Sequence, residues 1–212
     1  MLIPTSEVIQ ALQKNSITVQ GVLHIGAHEC EELPFYEQLG IPKERMIWID
    51  GNQDKVVWAQ QRNIPNVYRA LITEEDDKEI PFHITNNGQS SSILELGTHE
   101  QHHPHVHFIE TRKEKGITID TFFKRHHVDP KQYDFWNLDI QGAELMALKG
   151  ATEALSYPKA IYLEVNMEEV YKGCGLLEDI DRYLGLYGFQ RVLTNITEFQ
   201  WGDALYLKVS NQ

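Results

Sequence analysis

Short apolar runs alternate with segments of helical spacing along most of the chain. In the first half the predicted strands are 21–25, 45–50 and 66–70, with predicted helices 31–39 and 53–62 between them. The second half repeats the pattern with strands 133–139 and 159–165 and helices 143–149 and 177–186. Because strand–helix–strand units set neighbouring strands parallel, the pattern predicts an α/β fold with a Rossmann-like, doubly wound and mostly parallel sheet.

Both ends of the chain depart from this alternation. Runs 188–194 and 204–209 are rich in β-forming residues and have no helix between them, which predicts an antiparallel hairpin that ends the sheet. The first fifteen residues carry apolar side chains at helical spacing. We therefore expect segment 1–20 to form a covering helix, with Ser6 as its N-cap.

Residues 80–127 do not fit the strand–helix repeat and are rich in Ser, Asn, Gly and His. The pattern predicts short strands 80–85 and 106–111 around a long loop, 86–104. Loops of this length inside compact domains are usually functional. We expect this insertion to be a lid or a substrate loop.

Charge and cysteine content narrow the function classes. The chain has 19 Lys and Arg against 31 Asp and Glu, a net charge of -12, which is the wrong sign for neutralising nucleic-acid phosphates. Cys30 and Cys174 suggest no disulfide framework, and free thiols are typical of a reducing compartment. Neither a run of about 18 apolar residues nor a secretory leader pattern occurs. We expect a cytoplasmic protein with one domain over 1–212, no membrane span and no nucleic-acid partner.

Segment 22–32 is an apolar strand that runs into a small-residue turn and then a helix opened by acids. Ligands of open α/β sheets bind at this carboxyl edge. A dinucleotide turn needs G-x-G-x-x-G, but His28 and Glu31 stand where the later glycines would be. Glu29, Glu31 and Glu32 also place negative charge where a pyrophosphate would lie. S-adenosylmethionine carries no phosphate and is cationic at its sulfonium and ammonium groups, so it suits this turn.

Asp50 ends the second predicted strand about twenty residues later, the position at which an acid binds ribose hydroxyls. The alternative is a structural role, because Asp is also a common N-cap and helix 53–62 follows. After the third predicted strand, Ala70 and Leu71 stand where a backbone amide can bind an adenine edge.

Several segments together resemble the FkbM-type methyltransferases, over roughly residues 21–209. They are Leu23-His-Ile-Gly-Ala-His28, Ile49-Asp50, Asn86-Asn-Gly-Gln-Ser-Ser-Ser92, Gly116-Ile-Thr-Ile-Asp120, Leu138-Asp-Ile-Gln-Gly-Ala-Glu-Leu145 with Leu148-Lys-Gly150, and Gly202-Asp-Ala-Leu-Tyr-Leu207. The resemblance implies a class I methyltransferase fold and an S-adenosylmethionine-dependent O-methyltransferase acting on sugars, polyketides or related hydroxylated substrates. Two positions depart from the family pattern: His24 replaces a common Asp, and Gln141 replaces a common Glu.

The turn and the resemblance together predict a set of cofactor-binding residues. They are His24, Gly26, Ala27, His28, Glu32, Asp50, Asn52, Ala70, Leu71, Asp139, Ile140 and Gln141.

Methyl transfer to a hydroxyl requires alignment of donor and acceptor and the removal of one proton. Asp139 ends a central strand and is the first candidate base, the alternative being that it caps the following helix. His28 is a second candidate, and Glu164 is expected beside Asp139. With Asn166, these two carboxylates resemble the oxygen ligands of Mg²⁺, although such groups at strand ends are more commonly substrate ligands or caps.

The predicted substrate-binding residues are Ser91, Ser92, His102, Glu144, Glu164 and Asn166. The histidine-rich tract 99–107 is interpreted as a surface loop, since Pro104 breaks a helix and no metal-binding spacing with a helical context stands out. One of its histidines can still reach the acceptor hydroxyl.

The resulting hypothesis is methylation of a sugar hydroxyl, such as that of rhamnose, in a glycan or glycoconjugate. Glycosyltransferases are the expected partners, fused or separate. The alternatives are O-methylation of a non-sugar such as a polyketide, a non-catalytic nucleoside-binding module and, by fold alone, a nicotinamide oxidoreductase.

Overall fold

A computed structural model describes residues 1–209; residues 210–212, the end of the predicted domain, lie outside the described part. Its strands are β1 (Val22–Ile25), β2 (Met46–Asp50), β3 (Val67–Arg69), β4 (Glu79–Thr85), β5 (Phe108–Lys115), β6 (Phe135–Leu138), β7 (Ala160–Asn166), β8 (Phe189–Ile196) and β9 (Trp201–Lys208). Seven of them form one sheet in the order β3-β2-β1-β6-β7-β9-β8. The first five are parallel, and β9 runs antiparallel to both β7 and β8. The predicted mostly parallel sheet with a terminal antiparallel hairpin is confirmed.

Helices cover both faces of this sheet. They are α1 (Thr5–Lys14), α2 (Leu33–Gln38), α3 (Gln53–Gln61), α4 (His99–His102), α5 (Ile119–Arg125), α6 (Glu144–Lys149) and α7 (Leu177–Gly185). One apolar core lies between the sheet and α5, α6 and α7, and the other between the sheet and α1, α2 and α3. Since side chains alternate along a strand, Leu23 and Ile25 of β1 enter the first core and Val22 the second. This is the doubly wound arrangement.

The central strands are buried on both sides, which explains their continuous apolar sequence. All four residues of β1 and the first four of β2 are buried, including Trp48. Truncating a residue such as Leu23 to alanine would cost about 2–5 kcal/mol, because the cavity left behind adds to the lost burial.

The helix in segment 1–20 is α1, and Ser6 does not cap it. The N-cap residue is Pro4, whose carbonyl accepts hydrogen bonds from the N–H groups of Glu7 and Val8 at 2.9 and 3.3 Å. Pro4 restricts the backbone just before the helix, and the helix begins at Thr5, two residues earlier than a cap at Ser6 would require. Val8 and Leu12 are buried against the sheet.

Within the insertion, β4 and β5 form a separate two-stranded antiparallel sheet. The second strand runs over Phe108–Lys115 rather than 106–111. Its length was not predicted because most of its later residues are charged and exposed, without the apolar residues that indicate a strand. The intervening segment folds back, since Ser92 and His83 exchange two backbone hydrogen bonds of 2.8 and 3.0 Å. A short helix, α4, lies in what was expected to be a plain loop.

Strand β9 begins at Trp201, three residues earlier than the sequence indicated. Gly202 and Asp203 are weak strand formers, but they pair with Val165 and Glu164 of the buried strand β7. Backbone pairing with the buried strand β7 therefore outweighs the weak strand propensity of these residues.

Candidate active site

A cavity of about 530 Å³ opens at the carboxyl ends of the parallel strands, within the range of roughly 300–1,000 Å³ common for small-molecule sites. Its lining from the sheet and its loops includes His24, Ile25, Gly26, His28, Glu31, Glu32, Asp50, Gly51, Ala70, Leu71, Asp139, Ile140, Gln141, Glu164 and Asp203. The insertion adds Phe82, residues 87–93, His99, His103, His105 and Val106. The insertion thus forms one wall of the cavity.

The turn after β1 can be formed only with glycine at position 26. Gly26 has φ +89°, and a Cβ there would lie 1.7 Å from the carbonyl oxygen of Asp139. The N–H groups of Gly26 and Ala27 donate to the carbonyl of Ile49 at 2.8 and 3.0 Å. Three strand ends are therefore drawn together by one residue without a side chain.

Asp50 fixes the same turn from the end of β2. Its Oδ2 accepts the N–H of His28 and its Oδ1 accepts the N–H of Asn52, each at 2.7 Å. The N-cap of α3 is Asn52, whose side chain accepts the N–H of Asp54 at 3.0 Å. Asp50 is therefore not the cap, and its carboxylate keeps lone pairs that face the cavity.

Two candidate acids are bridged by one amide. Nε2 of Gln141 donates to Oδ1 of Asp139 at 2.7 Å and to Oε2 of Glu164 at 2.9 Å. Its own Oε1 accepts the hydroxyl of Tyr171 at 2.5 Å. The backbone of Gln141 is also bound by the insertion, because Ser92 Oγ donates to the carbonyl of Gln141 at 2.8 Å. Gln141, in a left-handed turn with φ +57°, therefore joins the strand ends to the insertion.

Burial and neighbouring carboxylates shift the proton equilibria of this pair. Burial, with the charge of Asp203, raises the pKa of Asp139 to about 6. The Asp139 side chain is exposed and lines the cavity. Glu164 is buried and lies directly opposite Asp203 in the β7–β9 ladder. Burial and the charge of Asp139 raise the pKa of Glu164 well above its ordinary value, so Glu164 holds the proton of the pair.

Glu144 is completely enclosed and does not line the cavity. Its Oε1 accepts the N–H groups of Ile140 and Gly142 at 2.7 and 3.4 Å, which holds the turn that carries Asp139. Burial raises the pKa of Glu144 to about 8. The N-cap of α6 is Ala143, without a side-chain hydrogen bond, so Asp139 does not cap that helix.

Ten of the twelve predicted cofactor residues line the cavity; Ala27 and Asn52 do not. The Ala27 side chain is directed into the core beneath α1, α2 and α3, and Asn52 is used as a helix cap. Of the predicted substrate residues, Ser91, Ser92 and Glu164 line the cavity.

The remaining predicted substrate residues, Glu144, His102 and Asn166, lie away from the cavity lining. His102 lies on the outer side of α4, where its Nε2 is 3.4 Å from Oε1 of Glu168. Asn166 is fully buried, and its amide has no hydrogen-bond partner among the described residues.

The two histidines of the cofactor turn are held by protein partners. Nδ1 of His28 lies 2.6 Å from Oε1 of Glu31, while its Nε2 is enclosed and has no partner in the described structure. His24 is buried, with Nδ1 2.9 Å from the hydroxyl of Tyr36, and burial lowers its pKa, so it is neutral. Because the free nitrogen of His28 is enclosed, Asp139 is better placed to receive a proton from an acceptor in the cavity.

Sequence reasoning missed several lining residues, chiefly Tyr171, Asp203, His99 and His103. His99 and His103 are four residues apart, a spacing that places side chains on one helical face, and their rings lie 4.9 Å apart. That spacing was a usable signal. Tyr171 and Asp203 offered none, because they reach the site only through the pairing of distant strands and loops.

The predicted magnesium ligands do not fit a cation. The amide N–H of Gln141 points between the carboxylates of Asp139 and Glu164, where a cation would have to bind, and Asn166 lies outside the lining. In residues 1–209 no group of three or more His, Cys, Asp or Glu side chains is arranged to hold a metal ion.

The sequence profile of the methyltransferase FkbM domain matches residues 24–191, most of the chain and nearly all of the site. The chain belongs to this family. Membership confirms the resemblance seen in the sequence and, with it, S-adenosylmethionine as the cofactor. No curated protein matches the sequence significantly.

Solved structures show the fold of this FkbM domain in other proteins. Magnesium protoporphyrin IX methyltransferase from Synechocystis PCC 6803 with bound SAM has a TM-score of 0.50 and 14% identity, with 97% of this chain and 78% of that chain covered. The same enzyme with bound SAH also has a TM-score of 0.50, with 13% identity and coverages of 97% and 82%. At this identity the likeness establishes the class I methyltransferase fold. Within the described residues, the helices are too short or too polar to cross a membrane.

Proposed function

We propose that this FkbM-family protein transfers a methyl group from S-adenosylmethionine to a hydroxyl of a sugar, such as rhamnose, in a glycan or glycoconjugate. The observation that carries the proposal is Asp139, a cavity-facing carboxylate at the end of a central strand with a pKa raised to about 6. A base with a pKa near working pH is effective in proton transfer. Polar groups of the insertion, including Asn87, Gln89 and Ser91, offer hydrogen bonds to a hydroxyl-rich acceptor.

The cofactor fits the wall formed by the β1 turn and the ends of β2 and β3. Asp50 can accept hydrogen bonds from ribose hydroxyls, because each of its oxygens has only one backbone donor identified. Leu71, with Phe82 and Ile84, forms an apolar cluster suited to an adenine ring. Glu31 and Glu32 favour a cation over a phosphate at this wall.

When bound, S-adenosylmethionine supplies an activated methyl group. The residues of this chain then align the acceptor hydroxyl and receive its proton at a carboxylate oxygen of Asp139 as the oxygen–methyl bond forms and the sulfur–methyl bond breaks. Gln141 keeps Asp139 oriented, and Glu164 holds its own proton and adds no second negative charge. The insertion excludes water by closing one side of the cavity.

The proposal is tested by transfer of labelled methyl from S-adenosylmethionine to a panel of defined oligosaccharides and non-sugar alcohols. Asp139→Asn should reduce kcat by about 10²–10⁴-fold, the usual contribution of a general base. His28→Ala should reduce cofactor affinity more than kcat. The matched control is Glu178→Gln, an equal charge change on the exposed side of α7. Unchanged activity in EDTA is expected.

Transfer to a non-sugar hydroxyl with none to any sugar would overturn the sugar acceptor and favour the polyketide alternative. Failure to bind S-adenosylmethionine would instead favour a non-catalytic module. Association with glycosyltransferases and a cytoplasmic location are parts of the same proposal, checked by co-purification and by fractionation of the source cells.

A further inference from the structure

Carboxyl groups line the cavity without lysine or arginine side chains beside them in the described lining. Six carboxyl groups line it: Glu31, Glu32, Asp50, Asp139, Glu164 and Asp203. No lysine or arginine side chain occurs among the described lining residues. Lys55, which packs against Gly88 in the insertion, is ion-paired with Glu29 at 2.7 Å, and the amino group of Met1 lies 3.5 Å from Glu32. A ligand with additional negative charge finds no lysine or arginine side chain free to pair with it in the described lining.

The wall opposite the cofactor turn presents neutral hydrogen-bonding groups. His99 is only 7% exposed, and its Nδ1 has no hydrogen-bond partner among the described residues. Its ring packs against those of His103 and Tyr171, at centroid distances of 4.9 and 5.5 Å. Burial and the neighbouring histidines lower the pKa of His99 to about 4. At neutral pH the His99 ring is therefore uncharged and presents no positive charge to a phosphate.

We infer that the acceptor is an uncharged hydroxylated compound, a finished glycoside rather than a nucleotide-activated or phosphorylated sugar. The inference rests on the proposed function, since it concerns the acceptor of that reaction. A phosphate ester of the sugar would bring one or two negative charges into a cavity that already holds ionised carboxylates and has no lysine or arginine side chain in its described lining. Methyl transfer therefore follows the glycosyl transfer that releases the nucleotide, and a glycosyl-transfer reaction must supply this substrate.

The test compares one sugar in two forms, as its alkyl glycoside and as its nucleoside diphosphate ester. We expect kcat/KM to be about tenfold or more higher for the glycoside at low salt. The difference should shrink as salt rises, because the screening length falls to about 8 Å at 0.15 M. Equilibrium binding of both forms to the protein loaded with S-adenosylhomocysteine gives the same comparison without turnover.

Gln89 provides a matched pair of variants, because its exposed side chain lines the cavity. Gln89→Lys should improve use or binding of the phosphorylated sugar at least about threefold relative to the glycoside. Gln89→Met, of similar length and without charge, removes the same hydrogen-bonding group for both forms of the sugar, so it should affect both alike and leave their ratio unchanged.

The inference is overturned if the phosphorylated sugar is used or bound as well as the glycoside. It is also overturned if Gln89→Lys does not change the ratio between the two forms. If the glycoside binds better but neither form is methylated, the proposed function fails and the inference about charge is retained.

Discussion

Replacing Gln141 by methionine should move the pH dependence of methyl transfer to more alkaline values. Gln141 donates one N–H toward Asp139 and one toward Glu164 from the same nitrogen. A hydrogen bond to an ionised carboxylate stabilises the charged form and lowers its pKa. Methionine has nearly the same length but no donor, so Asp139 would lose this support while the turn keeps its packing.

The size of the effect follows from the hydrogen bond that is lost. Hydrogen bonds to charged groups contribute about 1.5–3 kcal/mol, and one pKa unit corresponds to about 1.36 kcal/mol. Asp139 faces an open cavity, so we take the lower end and expect a rise of about one unit from a starting pKa of about 6. A base must be deprotonated to accept a proton, so a higher pKa removes active enzyme on the acidic side.

The assay is kcat/KM for methyl transfer between pH 5 and 9, which reports the base in the free enzyme. The acidic limb should move up by about one unit, with activity largely regained at pH 9. Gln38→Met, an exposed change at the end of α2, should leave the profile where it is. An unshifted limb in a folded Gln141→Met protein would refute the reasoning that Gln141 sets the proton equilibrium of Asp139.

Three further predictions concern the turns around the cavity. Gly26→Ala should destabilise the fold by at least about 2 kcal/mol and abolish cofactor binding, because the added Cβ meets the carbonyl of Asp139; a melting temperature close to that of the parent would contradict this. Asp50→Ala should weaken binding of S-adenosylmethionine by about tenfold or more in calorimetry, through loss of the ribose contact and of two backbone hydrogen bonds; equal affinity would exclude the ribose role. Glu144→Gln should become more stable relative to the parent as pH rises. The folded pKa of about 8 exceeds the ordinary value of 4.5, so the parent loses stability between these values and the amide does not; parallel curves of unfolding free energy against pH would count against this assignment.

The sheet could be predicted because its signals are local. Apolar runs alternate with helical spacing, and the two β-rich runs at the end have no helix between them, so strand order and direction follow from general packing rules. The ends of the helices and strands were harder to predict from the sequence. Pro4 rather than Ser6 begins α1, and β9 starts at Trp201, because pairing with the buried β7 overrides local preference.

The site could be predicted where it follows strand ends. Gly26, Asp50 and Asp139 each come directly after or at the end of a parallel strand, and such ends meet at one edge. The functions of neighbouring polar residues depend on details of the turns. Asn52 and Glu144 bind backbone N–H groups, a use that sequence spacing alone does not distinguish from ligand binding.

Site residues from the insertion, from the loop after β7 and from the terminal hairpin were the least predictable. Tyr171 contacts Gln141 from thirty residues away, and Asp203 faces Glu164 through antiparallel pairing. In the histidine tract, His102 has the outer position and pairs with Glu168, while His99 and His103 line the cavity. Which face of a four-residue helix is buried depends on what packs against it, and here that partner includes Tyr171.

In the proposed reaction, Asp139 accepts the proton when a sugar hydroxyl is methylated. The most direct test of this role is single-turnover transfer of labelled methyl from S-adenosylmethionine to an uncharged rhamnoside, comparing the parent with Asp139→Asn across pH and locating the new methyl group by NMR. We expect an O-methyl sugar from the parent, with an acidic limb near pH 6 that is absent from a variant slowed by about 10²–10⁴-fold. An Asp139→Asn protein that retains the parent's rate and the same pH limb would contradict it.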